Sequence, residues 1–177
     1  MDVGVLTVAL GDEPLEDAVG YLSDMGVDAI ELGCGGFVGE DHLPRDAYLD
    51  DEDAQAALLE LVADHDLRIS ALSTHNNPLH PDDDRAERAA TEIRETVRLA
   101  DQLGVDNVNT FSGLPAGSPA GDVPNWITAP WPPEHREALE YQWDVATEYW
   151  ADLADHADAH GVDVAIEMHP NMLVYEP

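Results

Sequence analysis

The sequence predicts an α/β fold in which parallel strands alternate with helices. Three observations carry this. Short apolar runs alternate along the chain with segments of 3.6-residue periodicity. The string Gly-Val-Asp recurs at 26–28, 104–106 and 161–163, each time between a helical segment and an apolar run. The length of 177 residues, with 44% hydrophobic residues, suits one well-cored domain and is short for two.

Residues 3–10 form the first expected strand. Pro14 suits the start of a helix, Leu15, Ala18, Val19 and Leu22 share one face of it, and Gly26 ends it. In each Gly-Val-Asp string the glycine accepts a left-handed helix terminus, and the β-branched valine opens a buried strand. Residues 27–32 are the second strand, and after a glycine-rich loop Ala54, Ala57, Leu58, Leu61 and Val62 line a second helix. Residues 67–73 are the third strand. Ala86, Ala89, Ile93, Val97 and Ala100 mark a third helix, with Asp82, Asp83 and Asp84 near its positive N-terminus. Residues 105–111 are the fourth strand. Leu139, Trp143, Ala146, Trp150, Leu153 and Ala157 make the apolar face of a long fourth helix, and residues 162–168 are the fifth strand.

Helical crossovers imply parallel strands. An open, doubly wound sheet of five strands suits the length. A closed (β/α)8 barrel takes about 250 residues, so this chain would supply only the first five of its strands. Length favours the open sheet, whereas the residues at the strand ends favour the barrel.

Asp and Glu number 38 against seven Arg and no Lys, giving a net charge of −31. Such a chain repels phosphate backbones and anionic lipid, which argues against nucleic acid or a membrane surface as a partner. Its self-repulsion is long-ranged in dilute buffer, so the composition is read as adaptation to a salt-rich cytoplasm. Cys34 is the only cysteine, which excludes an internal disulfide and a thiolate-built metal site. The apolar run 3–10 is too short to span a membrane and has no positive stretch before it, so the expected location is cytoplasmic.

Ligands in both architectures sit at the C-terminal ends of the strands. Those ends carry Glu31, His75, Asn76, Asn109, Thr110, Glu167 and His169, a set that suits a small polar substrate. Glu167 lies between Ile166 and Met168 on a buried strand, where a carboxylate is costly unless paired or metal-bound. The glycine-rich segment 33–39 lacks the helix that a phosphate cradle needs directly after it, and is read as a flexible loop. The long loop 112–133 carries Trp126 and Trp131, whose indoles offer flat faces for sugar rings. His156 and His160 have the spacing of a helical metal pair but lie at the helix end far from the strand C-termini. They are read as structural, as is His65.

Taken in order, several motifs run together: Glu31-Leu32-Gly33, the segment 73–81 (STHNNPLHP), the segment 109–113 (NTFSG), Pro124-Asn125-Trp126, the segment 130–133 (PWPP) and the segment 167–170 (EMHP). The set resembles the sugar phosphate isomerase/epimerase family of xylose isomerase-like barrels, from the first strand to the last residue. The resemblance implies a (β/α)8 barrel with a divalent metal, manganese or magnesium, at its C-terminal mouth. It implies proton transfer between neighbouring carbons of a sugar or polyol through an enediolate-like intermediate, the metal acting as Lewis acid and acidic side chains carrying the proton. By the same comparison Glu167 is both metal ligand and catalytic carboxylate. His75, Asn109, His169 and Glu31 face the substrate, with Trp126 and Trp131 as further sugar contacts.

The family's remaining metal ligands and second catalytic carboxylate lie on strands six to eight, and one glutamate holds a hard cation weakly. The isolated chain is therefore expected to be catalytically incomplete, with a complementary chain or a homo-oligomer covering its open strand edges. A non-catalytic sugar-binding or interaction module on the same scaffold is the alternative. A receiver domain would need a lysine after the fifth strand, a flavodoxin a hydroxyl-rich loop after the first, and a barrel endonuclease a surface that grips DNA; none of these features is present.

Overall fold

The computed structural model describes residues 2–177. Five parallel strands, β1 (Gly4–Leu6), β2 (Ala29–Gly36), β3 (Arg68–His75), β4 (Asn107–Phe111) and β5 (Asp163–Glu167), lie in the order β1-β2-β3-β4-β5. A doubly wound sheet would place β1 inside the sheet, with the chain reversing direction beside it. The sequential order is that of a barrel wall, which sets aside the open-sheet expectation.

The connections contain α1 (Leu15–Asp24), α2 (Arg45–Tyr48), α3 (Glu52–Asp64), α4 (Asp83–Leu103) and α5 (Pro133–His160). Asp51 and Asp82 cap α3 and α4 by accepting hydrogen bonds from the amides of Ala54 and Arg85. Gly104 and Gly161 close α4 and α5 in the left-handed conformation that the repeated tripeptide implies. The core lies between the sheet and the helices, where Ile30, Leu32, Leu72 and Val108 meet Val19, Leu58, Val62, Val97 and Ala157. Cys34 belongs to this core, where burial pushes its thiol pKa far up and leaves it a small apolar filler. No helix among the described residues is long and apolar enough to cross a membrane.

The structure differs from five local expectations. The first strand stops at Leu6, and Thr7–Leu10 form a 3-10 turn, because β2 offers β1 register partners only from Ala29 to Glu31. The glycine-rich segment is not a flexible loop. β2 runs on through it to Gly36, and the chain returns with Gly35 N–H donating to the carbonyl of Gly39 at 2.9 Å. β3 reaches His75 rather than ending at residue 73, and the single helical turn α2 was not anticipated. On α5, Trp143 is half exposed, and the buried position beside it is Gln142. The Gln142 amide donates to the carbonyls of Pro115 and Asn125, pinning the long loop after β4.

β5, expected as a buried strand, is instead exposed along much of its length, since among the described residues no strand pairs with its outer edge; none pairs with that of β1 either. Outside β5, an apolar groove of about 400 Å³ runs between Ile166, Trp143, Trp150 and Leu173.

Candidate functional site

Side chains alternate across a strand, so β3 sends Leu72 outward into the helix-packed core and Ser73 and His75 to the other, inner face. The register pairs Ser73 with Asn109 and Asn109 with Ala165, and one step further pairs Phe111 with Glu167. His75, Phe111 and Glu167 therefore form one row at the C-terminal ends of three successive strands. The row is closed by contact. The Nε2 of His75 lies 2.8 Å from Oε2 of Glu167, reaching across β4, while the Phe111 ring meets the His75 ring edge-on at 4.4 Å.

The two partners differ in exposure. His75 is 2% exposed, whereas the Glu167 side chain is 54% exposed. A carboxylate only accepts, so Nε2–H donates to it. The buried Nδ1 of His75 has no partner, an arrangement tolerable for a bare lone pair and costly for an N–H. His75 thus holds one carboxylate oxygen of Glu167, and the other makes no hydrogen bond among the described residues. His169 also packs against Phe111, with ring centroids 4.4 Å apart and planes tilted by 33°. Its Nδ1 donates to the carbonyl of Pro170 at 2.7 Å, which leaves Nε2 as an acceptor.

The other expected residues are placed as follows. Glu31 accepts a hydrogen bond from the Ser73 hydroxyl on the inner face, one layer below His75. Asn109 lies in the layer of Ser73, between β3 and β5. Asn76 turns away from the mouth and donates to Glu92 on α4 at 2.6 Å. Trp126 packs edge-on against Tyr175, and Trp131 is 76% exposed on the loop before α5; neither joins the row. His156 and His160 bond to the Arg94 carbonyl and the Asp101 carboxylate, far along α5 from the mouth, in keeping with a structural role.

Three contributors were not anticipated. Phe111 carries the row. Phe37, just past β2, stands 6.2 Å from Phe111. Asn77 ties the exits of β3 and β4 together: its Oδ1 accepts from the amides of Leu79 and Leu114, and its Nδ2 donates to the Leu114 carbonyl. A signal for Phe111 was present in the sequence, since it lies two residues beyond Asn109 on the same strand face.

A family model described as xylose isomerase-like TIM barrel matches residues 19–175. The chain belongs to the xylose isomerase-like TIM barrel family. Across all of its length this xylose isomerase-like chain is 37% identical to YfiH of Bacillus subtilis (strain 168), described as uncharacterized, and it covers 58% of that protein. Among solved structures it is similar to the IolI protein "with a binding zinc atom", at TM-score 0.68 and 20% identity, covering 98% of this chain and 54% of that one. It is also similar to D-psicose 3-epimerase with D-tagatose from Clostridium cellulolyticum H10, at TM-score 0.64 and 15% identity, covering 95% and 52%. The xylose isomerase-like chain thus spans little more than half the length of each of these three proteins.

The donor set can be tested against the divalent ion that this family resemblance implies. Among the described residues no three His, Cys, Asp or Glu side chains come together as a metal site. Zinc takes four ligands, and magnesium or calcium six or more. The mouth offers the second oxygen of Glu167, while the nearest imidazole nitrogen already donates to the same carboxylate. These residues alone do not fit a resident divalent cation.

Proposed function

We propose that the chain forms the substrate-facing half of a sugar or polyol isomerase or epimerase, in which Glu167 is the general base. The observation that supports this is the 2.8 Å contact from buried His75 to half-exposed Glu167 across β4. The pair orients a carboxylate at the mouth, where a substrate carbon would sit. Glu167 takes the proton from the carbon beside a substrate carbonyl, and the electron pair moves into an enediolate. The resulting carboxylic acid returns a proton from the same face. At the original carbon this restores the starting carbonyl; at the neighbouring carbon it moves the carbonyl, with the remaining hydroxyl passing its proton to the other enediolate oxygen. His75 acts as a positioning residue by donating to the ionised carboxylate. Asn109, His169 and Glu31 supply hydrogen bonds to substrate hydroxyls, and Trp126 and Trp131 border the approach. A manganese or magnesium ion, as the resemblance implies, would require donors beyond those the described residues bring to Glu167. The chain works in a salt-rich cytoplasm, and a complementary chain or second copy covers the β1 and β5 edges.

One base on one face can remove a proton and return it only to that face. The purified chain, in molar KCl with manganese, is therefore expected to exchange the C–H proton of D-tagatose for solvent deuterium slowly, with little or no epimerised product. Glu167→Gln should lower that exchange about a hundredfold or more. Equal exchange by both proteins would sink the assignment of the base. Saturable epimerisation by the purified chain would show that it is catalytically complete. The short donor set favours one second reading, a sugar-binding module without chemistry. D-tagatose binding that is indifferent both to a chelator and to Glu167→Gln, with no exchange, would establish it.

A further inference from the structure

His156 and His160 lie about one helical turn apart on α5, at the end of the helix that leads into β5 and away from the mouth. The hydrogen bonds that tie them to α4 also fix the tautomers of the neutral rings. A carbonyl and a carboxylate only accept, so the Nε2–H of His156 donates to the Arg94 carbonyl at 3.2 Å. The Nδ1–H of His160 donates to the Asp101 carboxylate at 2.8 Å. Nδ1 of His156 and Nε2 of His160 therefore keep bare lone pairs, with no hydrogen-bond partner among the described residues.

The spacing of the two rings suits a shared ion. Their centroids are 4.8 Å apart and their planes are inclined by 62°. An imidazole nitrogen about 2.0–2.1 Å from zinc puts the ring centre about 3.2 Å from the metal. Two rings on one ion, at tetrahedral or square-planar angles, then have centres about 4.5–5.2 Å apart. Metal-bound histidines typically donate their other N–H to a carboxylate or a backbone carbonyl, and both rings already do so. The electrostatics agree. His160 occupies the last turn of α5, where the helix dipole favours positive charge. Asp101 adds a carboxylate bonded to that ring, while the Arg94 guanidinium is engaged by Asp152.

We propose that His156 and His160 together bind a late first-row divalent cation, zinc or copper, at a surface site remote from the mouth. Imidazole nitrogen suits these ions, whereas magnesium and manganese prefer oxygen. Water completes the coordination, because two protein ligands fall short of the four that close a zinc site, and the ion is therefore exchangeable. Both ligands belong to α5, yet the ion acts on α4 as well. It polarises the two N–H groups and so strengthens their bonds to Arg94 and Asp101, fastening the end of one helix to the other. No residue of the mouth takes part, so the site stands or falls independently of the isomerase reading.

The test is titration of the metal-free full chain with zinc chloride, and separately with magnesium chloride, in molar KCl near neutral pH. Calorimetry reads the affinity, and the imidazole C–H resonances in proton NMR read the place. Zinc should bind with a Kd of about 1–100 µM and shift two of the eight histidines. His156→Ala and His160→Ala should each weaken it about tenfold or more, and Asp101→Ala about tenfold. Saturating zinc should raise the melting temperature of the parent and raise that of His160→Ala far less. Melts without metal confirm that each variant is folded, and His160→Gln replaces an alanine variant that is not. Zinc affinity retained in both histidine variants, or lost only in Glu167→Gln, would overturn the proposal. So would an equal response to magnesium, which marks diffuse attraction to the acidic surface, or a parent that leaves millimolar zinc unbound.

Discussion

Gly36→Ala should destabilise the protein by about 3 kcal/mol or more, the largest effect expected of any one-methyl change in this chain. Two costs combine. The residue sits at φ +67°, and the new Cβ would lie 2.2 Å from the oxygen and 2.7 Å from the carbonyl carbon of His75, which are backbone atoms of a central strand. Relief requires β2 to move off β3, and that would also displace His75 from Glu167. Gly104→Ala is the control. It has nearly the same dihedral, φ +68°, but no atom lies within 4 Å of the added carbon, so only the left-handed backbone penalty of about 1–2 kcal/mol applies. Urea unfolding of both variants in molar KCl measures the difference. Equal losses of stability would mean that the close approach of β2 to β3 is not what requires a glycine at 36.

The second large effect concerns salt. At a net charge of −31, transfer from molar to ~10 mM KCl lengthens the screening distance from roughly 3 Å to 30 Å, and carboxylates across the whole surface then repel one another. The protein is expected to lose its cooperative melt in dilute buffer and to recover it on adding KCl. Few ion pairs oppose the repulsion, because only seven side chains carry a fixed positive charge. Arg45–Glu95, with its guanidinium largely buried, and Arg98–Asp50 are among those formed, and an exposed pair such as Arg98–Asp50 contributes little. Calorimetry across a KCl series measures the effect, with sucrose in place of salt separating screening from simple exclusion. A melting temperature that is the same at both ends of the series would refute the electrostatic reading.

The strand–helix alternation was readable because each long helix buries a stripe of regular period and three of the four helix-to-strand joints reuse Gly-Val-Asp. That Glu167 and His75 share one mouth was readable too, since both end parallel strands and parallel strands share a direction. Other features depend on partners remote in sequence. Nothing local in residues 33–36 announces a strand, because its ladder is supplied by β3 and the glycine at 36 is dictated by a carbonyl 39 positions away. Residues 7–10 read as a strand because they are apolar, yet β2 offers them no register. Gln142 interrupts an apolar face for the sake of two loop carbonyls, which no periodicity can reveal. The two tryptophans were attractive by residue type alone. The aromatic that stands beside the row is Phe37, placed there by a tertiary hydrogen bond.

The bare outer borders of β1 and β5 give the salt dependence a second side. Like charge holds separate molecules apart as well as straining each one from within, and mobile ions weaken both forces together. As brine strengthens the individual molecule, it also lets unsatisfied amides and carbonyls of neighbouring molecules find each other. Solubility is therefore expected to be bounded from above by the same agent that sets the lower limit for folding, which predicts a window of ionic strength rather than a threshold.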